Sequence, residues 1–274
     1  MPRLFRRTYR LQVDTLEIEG LNVGFTIERT LRRRPGRCEI KVWNLSADHR
    51  SQLETLPAGG VYVRLEAGYD DATGRGQIFE GRLHRARTER SGADLITTIR
   101  SRDGGGTTSA RTSRSHAAGA SVASVVRGLV ADLGIGEGNL PDVLDRLTLG
   151  GVGSFSAGVA VSGGTADELD GIMDSAGYEW SVQDGAIQVL ERGAGLTRPA
   201  VLLSPETGLI GRPTVDEHGK IQAETLLIPA LVPGALVLIE TTDRTGTYRI
   251  EQARFRGELD GGDWGVSLTC GVPT

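Results

Sequence analysis

The chain is poor in the residues that most often announce chemistry or covalent staples. Only two cysteines occur in 274 residues, and Cys38 and Cys270 lie too far apart in sequence to suggest a metal or redox spacing. Each falls in an alternating apolar run (Cys38, Ile40, Val42 and Val266, Leu268, Cys270), so each reads as a small buried side chain. The four histidines, His49, His84, His116 and His218, are scattered, and none stands one helical turn from another histidine or a cysteine, which leaves a zinc site without support. Aromatic residues make up 5% of the chain, against 39 glycines and 38% hydrophobic residues. That balance suits many short strands joined by tight turns better than a helical bundle. No apolar run is long enough for a membrane-spanning helix. The basic opening MPRLFRRTYR is followed by LQVDTLEIEG, which alternates apolar and acidic residues where a signal peptide would need an apolar core; synthesis and assembly in the cytoplasm are expected. A formal net charge of -4 argues against a broad basic face for nucleic acid, because such binding runs on phosphate neutralisation. Local arginine runs are the exceptions.

What is present is mostly strand pattern. YRLQVDTLEI, LNVGFTIERTLR, RCEIKVWNL, VYVRLEAGY, IFEGRLHRARTE and LITTIRS carry period-two alternation or β-branched runs and end in turn residues. Between the third and fourth, SADHRSQLETLP predicts a short helix with Ser46 as its cap and Pro57 as its stop. The segment RDGGGTTSARTSRSHAAG has no apolar period and reads as a linker. Beyond it, Val122, Val125, Val126, Leu129, Val130 and Leu133 line one helical face, which Gly134 ends. A second helix begins at Thr165, with Glu168 as its capping-box partner and Leu169, Ile172, Met173 and Ala176 as its buried stripe. YEWSVQDGAIQVL then predicts a hairpin turning at Asp184-Gly185. The last eighty residues return to strands and echo the first region: strand, turn, long strand, hairpin, strand. The expected fold class is mainly β with an α+β insert, two similar β-barrels flanking a small helix-hairpin domain. The expected boundaries are 1–105, 106–192 and 193–274.

Motifs for chemistry are weak. GIGEGNL follows a helix, whereas a dinucleotide site needs its glycines between a strand and a helix. GGVGSFSAG lacks the order of a nucleophile elbow, and no histidine is placed to activate Ser154 or Ser156. Glu206, Glu224, Asp70, Asp71, Asp260 and Asp263 contain no pair selected by spacing for glycoside hydrolysis, and Asp70, Asp71, Asp260 and Asp263 read as turn carboxylates. Arg6-Arg7 and Arg32-Arg33-Arg34 read as solvated strand ends, with an inter-subunit contact as the alternative. No cofactor, metal site or catalytic residue is expected.

Taken in order, RCEIKVWNLS before a short helix, VRLEAGY with IFEGRL, GYEWSVQDGAIQVL, LLSPETGLIGRPTV, ETLLIPALVPGALVLI and YRIEQARFRGELDGGDWGVSLTC resemble the baseplate hub proteins of bacteriophage tails and related injection machines. The pieces span most of the chain, and the resemblance rests on their shared order. It implies two tube-like barrels per subunit and a homotrimer that adapts a hexameric tail tube to a trimeric spike. No catalytic centre is implied, and DNA would be met only in transit through a central, non-basic channel.

The implied partners are the tail tube or distal tail protein, the central spike, baseplate wedge proteins and the tape measure protein, with no membrane. Localisation in the virion tail baseplate is implied. Because the chain ends soon after the second barrel pattern, the spike and any lysozyme domain are expected on other chains. Within LSPETGLIGRPTV, Pro205, Glu206, Gly208, Gly211 and Pro213 then read as a joint or interface leading into the second barrel. The alternatives are a cell-wall (peptidoglycan) hydrolase of the same particle, working through Glu206 and a second acid, and a carbohydrate-binding β-module with exposed aromatic platforms. Against the latter, Trp43, Trp180 and Trp264 all sit in strand patterns and are expected in the core.

Overall fold

The computed structural model describes residues 6–33, 35–70, 74–104 and 109–274. Arg34, Asp71 and the first domain boundary at 105 lie outside the described residues. The first region forms β1 (Arg7–Val13), β2 (Leu16–Ile18), β3 (Val23–Thr30), β4 (Arg37–Trp43), helix α1 (Ala47–Thr55), β5 (Tyr62–Tyr69), β6 (Arg75–Ser91) and β7 (Asp94–Arg102). The first strand pattern splits in two because Asp14 takes a positive φ of 54°, which turns β1 back onto β2. Ser46 caps α1 as its pattern predicts, its side chain accepting a hydrogen bond from the His49 amide at 3.3 Å.

The middle region holds β8 (Arg111–His116), α2 (Val122–Leu133), the short α3 (Leu140–Val143), β9 (Val159–Gly164), α4 (Thr165–Ser175), β10 (Tyr178–Gln183) and β11 (Ala186–Glu191). All six apolar residues predicted for α2 are buried, and they pack with Leu169, Met173, Trp180, Val182, Ile187 and Val189 in a separate core. Two expectations fail here. Part of the supposed linker is β8, which pairs with β9; its partner lies far along the chain, so no local period reveals it. The capping box at Thr165 is absent: α4 runs directly out of β9, its N-cap is Gly164 without a side-chain cap bond, and the Thr165 hydroxyl is buried without a partner.

The glycines of GIGEGNL serve packing. At Gly138, with φ 50°, an added Cβ would lie 1.9 Å from the Ile187 carbonyl oxygen, so only glycine lets this loop approach the β10–β11 hairpin. Asn139 then exchanges two 2.7 Å bonds with the backbone of Val189.

The last region forms β12 (Val201–Leu203), β13 (Leu209–Val215), β14 (Ile221–Leu226), β15 (Leu236–Glu240), β16 (Thr245–Glu258) and β17 (Trp264–Gly271). First and last regions do not separate. Their strands form a single 13-stranded sheet in which β3 pairs with β16, and one continuous core runs from Tyr9 to Cys270. No closed barrel is present among the described residues.

The sheet nonetheless consists of two halves with the same strand order, β3-β4-β7-β6-β5-β1 and β13-β14-β17-β16-β15-β12. Neighbours are antiparallel throughout except β12–β15. One irregularity is shared. The long strand of each half carries a bulge at the same register position, His84 between Leu83 and Arg85, and Glu251 between Ile250 and Gln252. An extra residue at one place bends both strands alike.

Candidate assembly surface

One face of the sheet is covered by the core, and alternation puts polar residues on the other. The registers align a row across seven strands, polar at six of them and ending on the exposed Ile210: Arg102, Arg37, Glu28, Arg254, Ser267, Glu224 and Ile210. Three adjoining depressions of about 840, 470 and 340 Å³ lie along this face. Cations outnumber carboxylates on it: Arg37, Lys41, Arg85, Arg87, Arg100, Arg102, Arg254 and Arg256 against Glu28, Glu39, Glu89, Glu224 and Glu258. Several are paired, Arg100 with Glu39 at 2.8 Å, Arg87 with Glu89 at 3.0 Å and Arg254 with Glu28 at 3.3 Å. The surface is thus mixed in sign with a cationic surplus that the chain's net charge of -4 conceals.

The junction of the halves is a built seam. Gln252 to Glu258 pair with Thr30 to Gly24, and Phe255 faces Ile27, both fully buried. Beside them Phe25 meets Trp264 edge-on at 5.2 Å, over Gly257, where a Cβ would lie 2.3 Å from the Phe25 ring. Burying each such side chain stabilises by about 1.5–3 kcal/mol.

The counterparts of those two strands have no strand paired on the edge equivalent to the seam among the described residues. β13, which corresponds to β3, pairs only with β14; Ile210 and Val215 on it are each 51% exposed. In β6, which corresponds to β16, residues 85–91 pair only with β7, and the Thr88 amide donates to Glu54 of α1 at 2.7 Å.

A buried polar knot fixes the middle region to the sheet. Arg29, 3% exposed, donates to Gln183, the Ile78 carbonyl and Asp184 at 3.1, 3.0 and 2.7 Å. Asp103, 1% exposed, accepts from the Asp184 and Gly185 amides at 3.0 and 2.7 Å. Burial pushes the Asp103 carboxyl up to about 6, against the lowering effect of those amides and of Arg29. Sequence pattern did not single out either residue; an arginine at an inward position of β3 was the available signal, since a buried guanidinium needs partners.

The residues proposed as a joint or interface fall in one stretch. Pro205 and Glu206 sit exposed on the turn after β12. There Ser204 donates to Glu206 at 2.8 Å, which holds the Glu206 carboxyl below its ordinary value. Gly208 ends that turn with φ 110°; Gly211, with φ 68°, and Pro213 lie within β13, at its register shift. Half of the supposed joint is therefore an edge strand, whose irregular register hid its alternation.

The other candidate carboxylates lie apart from that turn, and Glu224 and Asp263 line the depressions of the polar face. Glu224 accepts from Ser267, Asp70 pairs with Arg6 at 3.7 Å, and Asp260 and Asp263 lie in the β16–β17 turn. Among the described residues no three His, Cys, Asp or Glu form a metal cluster, and no helix is long and apolar enough to cross a membrane.

The arginine clusters have partners inside the chain. Arg7 lies 5.6 Å from the Trp264 ring centroid and donates to the Glu258 carbonyl at 2.6 Å. Arg33 bridges Asp167 and Asp170 of α4, correcting its reading as a solvated strand end. Trp180 and Trp264 are buried, while Trp43 is half-buried and stacks over Gly24 on the polar face.

The architecture defines the class. The fold is that of phage-type tail proteins: it is similar over 97% of the chain to a 43 kDa prophage tail protein from Shewanella oneidensis, at TM-score 0.67 and 9% identity, covering 98% of that chain. A tail protein from Neisseria meningitidis gives TM-score 0.64 at 11% identity, with 97% and 96% of the two chains covered. An Escherichia coli type VI secretion component described as structurally similar to the T4 tail proteins gp27 and gp5 gives 0.57 at 11% identity, with 96% and 76% covered. No curated protein sequence matches the chain. The family model "Baseplate hub gp41" matches residues 8–242, and the chain belongs to that family. It is a structural component of a tail baseplate.

Proposed function

We propose that the protein is the hub of a phage or phage-like baseplate, a homotrimeric ring that joins a sixfold tail tube to a threefold spike. The observation that carries this reading is the repeated strand order. Each subunit holds two equivalent half-sheets, so three copies present six similar units around one axis, a match between symmetries that a chain with one such unit cannot make. Each half is then one tube-like, barrel-forming domain, and the middle region is a separate domain pinned by Arg29 and Asp103.

The polar face lines the central channel. Its arginines are more numerous than a non-basic wall would carry, but pairing with Glu28, Glu39 and Glu89 limits how many can hold phosphate at once. DNA is therefore met in transit. The turn at Pro205 and Glu206, with Gly208, Gly211 and Pro213, serves as a joint whose strand end faces a neighbour. Tube or distal tail protein, spike, wedge proteins and tape measure protein are the partners, assembled in the host cytoplasm.

Native mass measurement tests the proposal. Three-chain species are expected, either alone or with tube and spike proteins; a chain that stays monomeric in their presence overturns it. Release of sugar from peptidoglycan by this chain, lost in Glu206→Gln, would favour a hydrolase instead.

A further inference from the structure

The two halves of the sheet differ at one polar cluster where the repeat would have them alike. Matching them through the shared bulge and the registers of β4 and β14 sets His84 where Glu251 stands, Arg102 where Gly271 stands and Arg37 where Lys220 stands. In the second half the cluster is closed by its own carboxylate. Glu251, the bulge residue, accepts from Lys220 at 2.5 Å and lies 4.0 Å from Arg249. Its side chain fills the space over Gly271, where an added Cβ would meet Glu251 Oε1 at 2.3 Å. In the first half the carboxylate is replaced by a histidine, the glycine by an arginine and the lysine by another arginine.

That replacement leaves the cations without their anion. Arg37 and Arg102 stand directly opposite each other on β4 and β7, and the next residue of the row, on β6, is Arg82. Like charges in such a register repel. Arg37, Arg102 and His84 are exposed and line the depression of about 470 Å³. Of the two carboxylates that line it with them, Glu39 is held by Arg100 and Glu28 by Arg254. The segment LRRRPGR, which leads into Arg37, brings further cations and no carboxylate.

We propose that Arg37, Arg102 and His84 form a binding site for a phosphoryl group, which takes the place that the Glu251 carboxylate fills in the other half. A guanidinium fork donates to two oxygens of an oxyanion at once. Two forks side by side carry more charge than one carboxylate neutralises, which favours a phosphoryl group over a carboxylate. Its source is a DNA backbone or a free phosphate compound. The site is complete in one chain; only its position beside a channel rests on the hub reading.

The test uses the isolated full-length chain and two probes, inorganic phosphate followed by calorimetry and a short DNA duplex followed by fluorescence anisotropy. Wild type is expected to bind phosphate saturably and to melt at a higher temperature in its presence. His84→Glu with Arg102→Gly, which copies the closed cluster of the second half, is expected to weaken phosphate binding ~10-fold or more, as is Arg37→Gln alone. Both variants should melt no lower than wild type, because each relieves repulsion. Arg256→Gln, which lines a neighbouring depression of the same face, should change phosphate affinity by less than ~2-fold at physiological salt. A duplex that loses affinity in the same two variants identifies the DNA backbone as the source, and one that keeps it identifies a free phosphate compound. Absence of saturable phosphate binding, an equal loss in Arg256→Gln, or tighter binding of a polyglutamate peptide than of phosphate overturns the site and leaves the hub reading standing.

Discussion

Ile27 and Val215 occupy the same position in the two halves of the sheet, yet one is fully buried and the other is 51% exposed. The difference lies in what stands beside each strand. Beside β3 lies β16 of the same chain, bringing Phe255 against Ile27; on the corresponding side of β13, away from β14, no strand is found among the described residues. A repeated fold thus shows its missing contact by contrast with the copy in which that contact is made. The wider lesson is that an exposed valine is unremarkable alone and becomes informative once its buried equivalent is known.

Breaking the covered side should have the largest effect. Phe255→Ala removes a fully buried ring from the seam and is expected to cost about 3–5 kcal/mol in chemical denaturation of the isolated chain. A cost below ~1 kcal/mol would mean that the halves do not depend on each other.

Asp103 sharpens the comparison from another side, since the knot that it shares with Arg29 is attached to the first half. Its carboxyl is raised from an ordinary 3.8 to about 6 by burial. In that window the folded chain holds a proton that the unfolded chain has released. The contribution of Asp103 to stability is therefore greatest below pH ~4 and falls as pH rises to ~6. Asp103→Asn should remove this slope, changing the wild-type-minus-variant stability by up to about 3 kcal/mol between pH 4 and 7. A difference that stays flat with pH would place the carboxylate in contact with solvent.

On the open side the same kinds of change should be mild. Val215→Ser is expected to alter the stability of the isolated chain by no more than ~0.5 kcal/mol, as for most surface substitutions, while reducing ring formation measured by sedimentation. Equal losses in both assays would mean that Val215 matters to its own chain. Smallest of all, Glu206→Gln should leave both melting and assembly unchanged within error, because the carboxylate is exposed and is bonded to Ser204 of its own turn.

Much of this arrangement is legible in the sequence, for stated reasons. The strands of the first region alternate cleanly because one face is core and the other wet, and α2 shows all six of its buried residues at helical spacing. The Asp184-Gly185 turn is written in two residues that tolerate positive φ, and both adopt it. The hub resemblance likewise came from ordered strand patterns and is matched by the family.

What stayed hidden is non-local. β8 is polar and pairs across more than forty residues, so nothing nearby marks it. β13 carries a register shift around Gly211 and Pro213, which breaks alternation and hides the strand. The joining of the two halves into one sheet depends on β3 meeting β16, more than two hundred residues away, and no single-strand pattern encodes that choice.

The most direct measurement is a density map of the assembled baseplate end, resolved well enough to separate strands. It should show three copies around one axis, with β13 of each facing a neighbouring copy. A map in which β13 faces solvent, or in which copies meet about a twofold axis through some other surface, contradicts it.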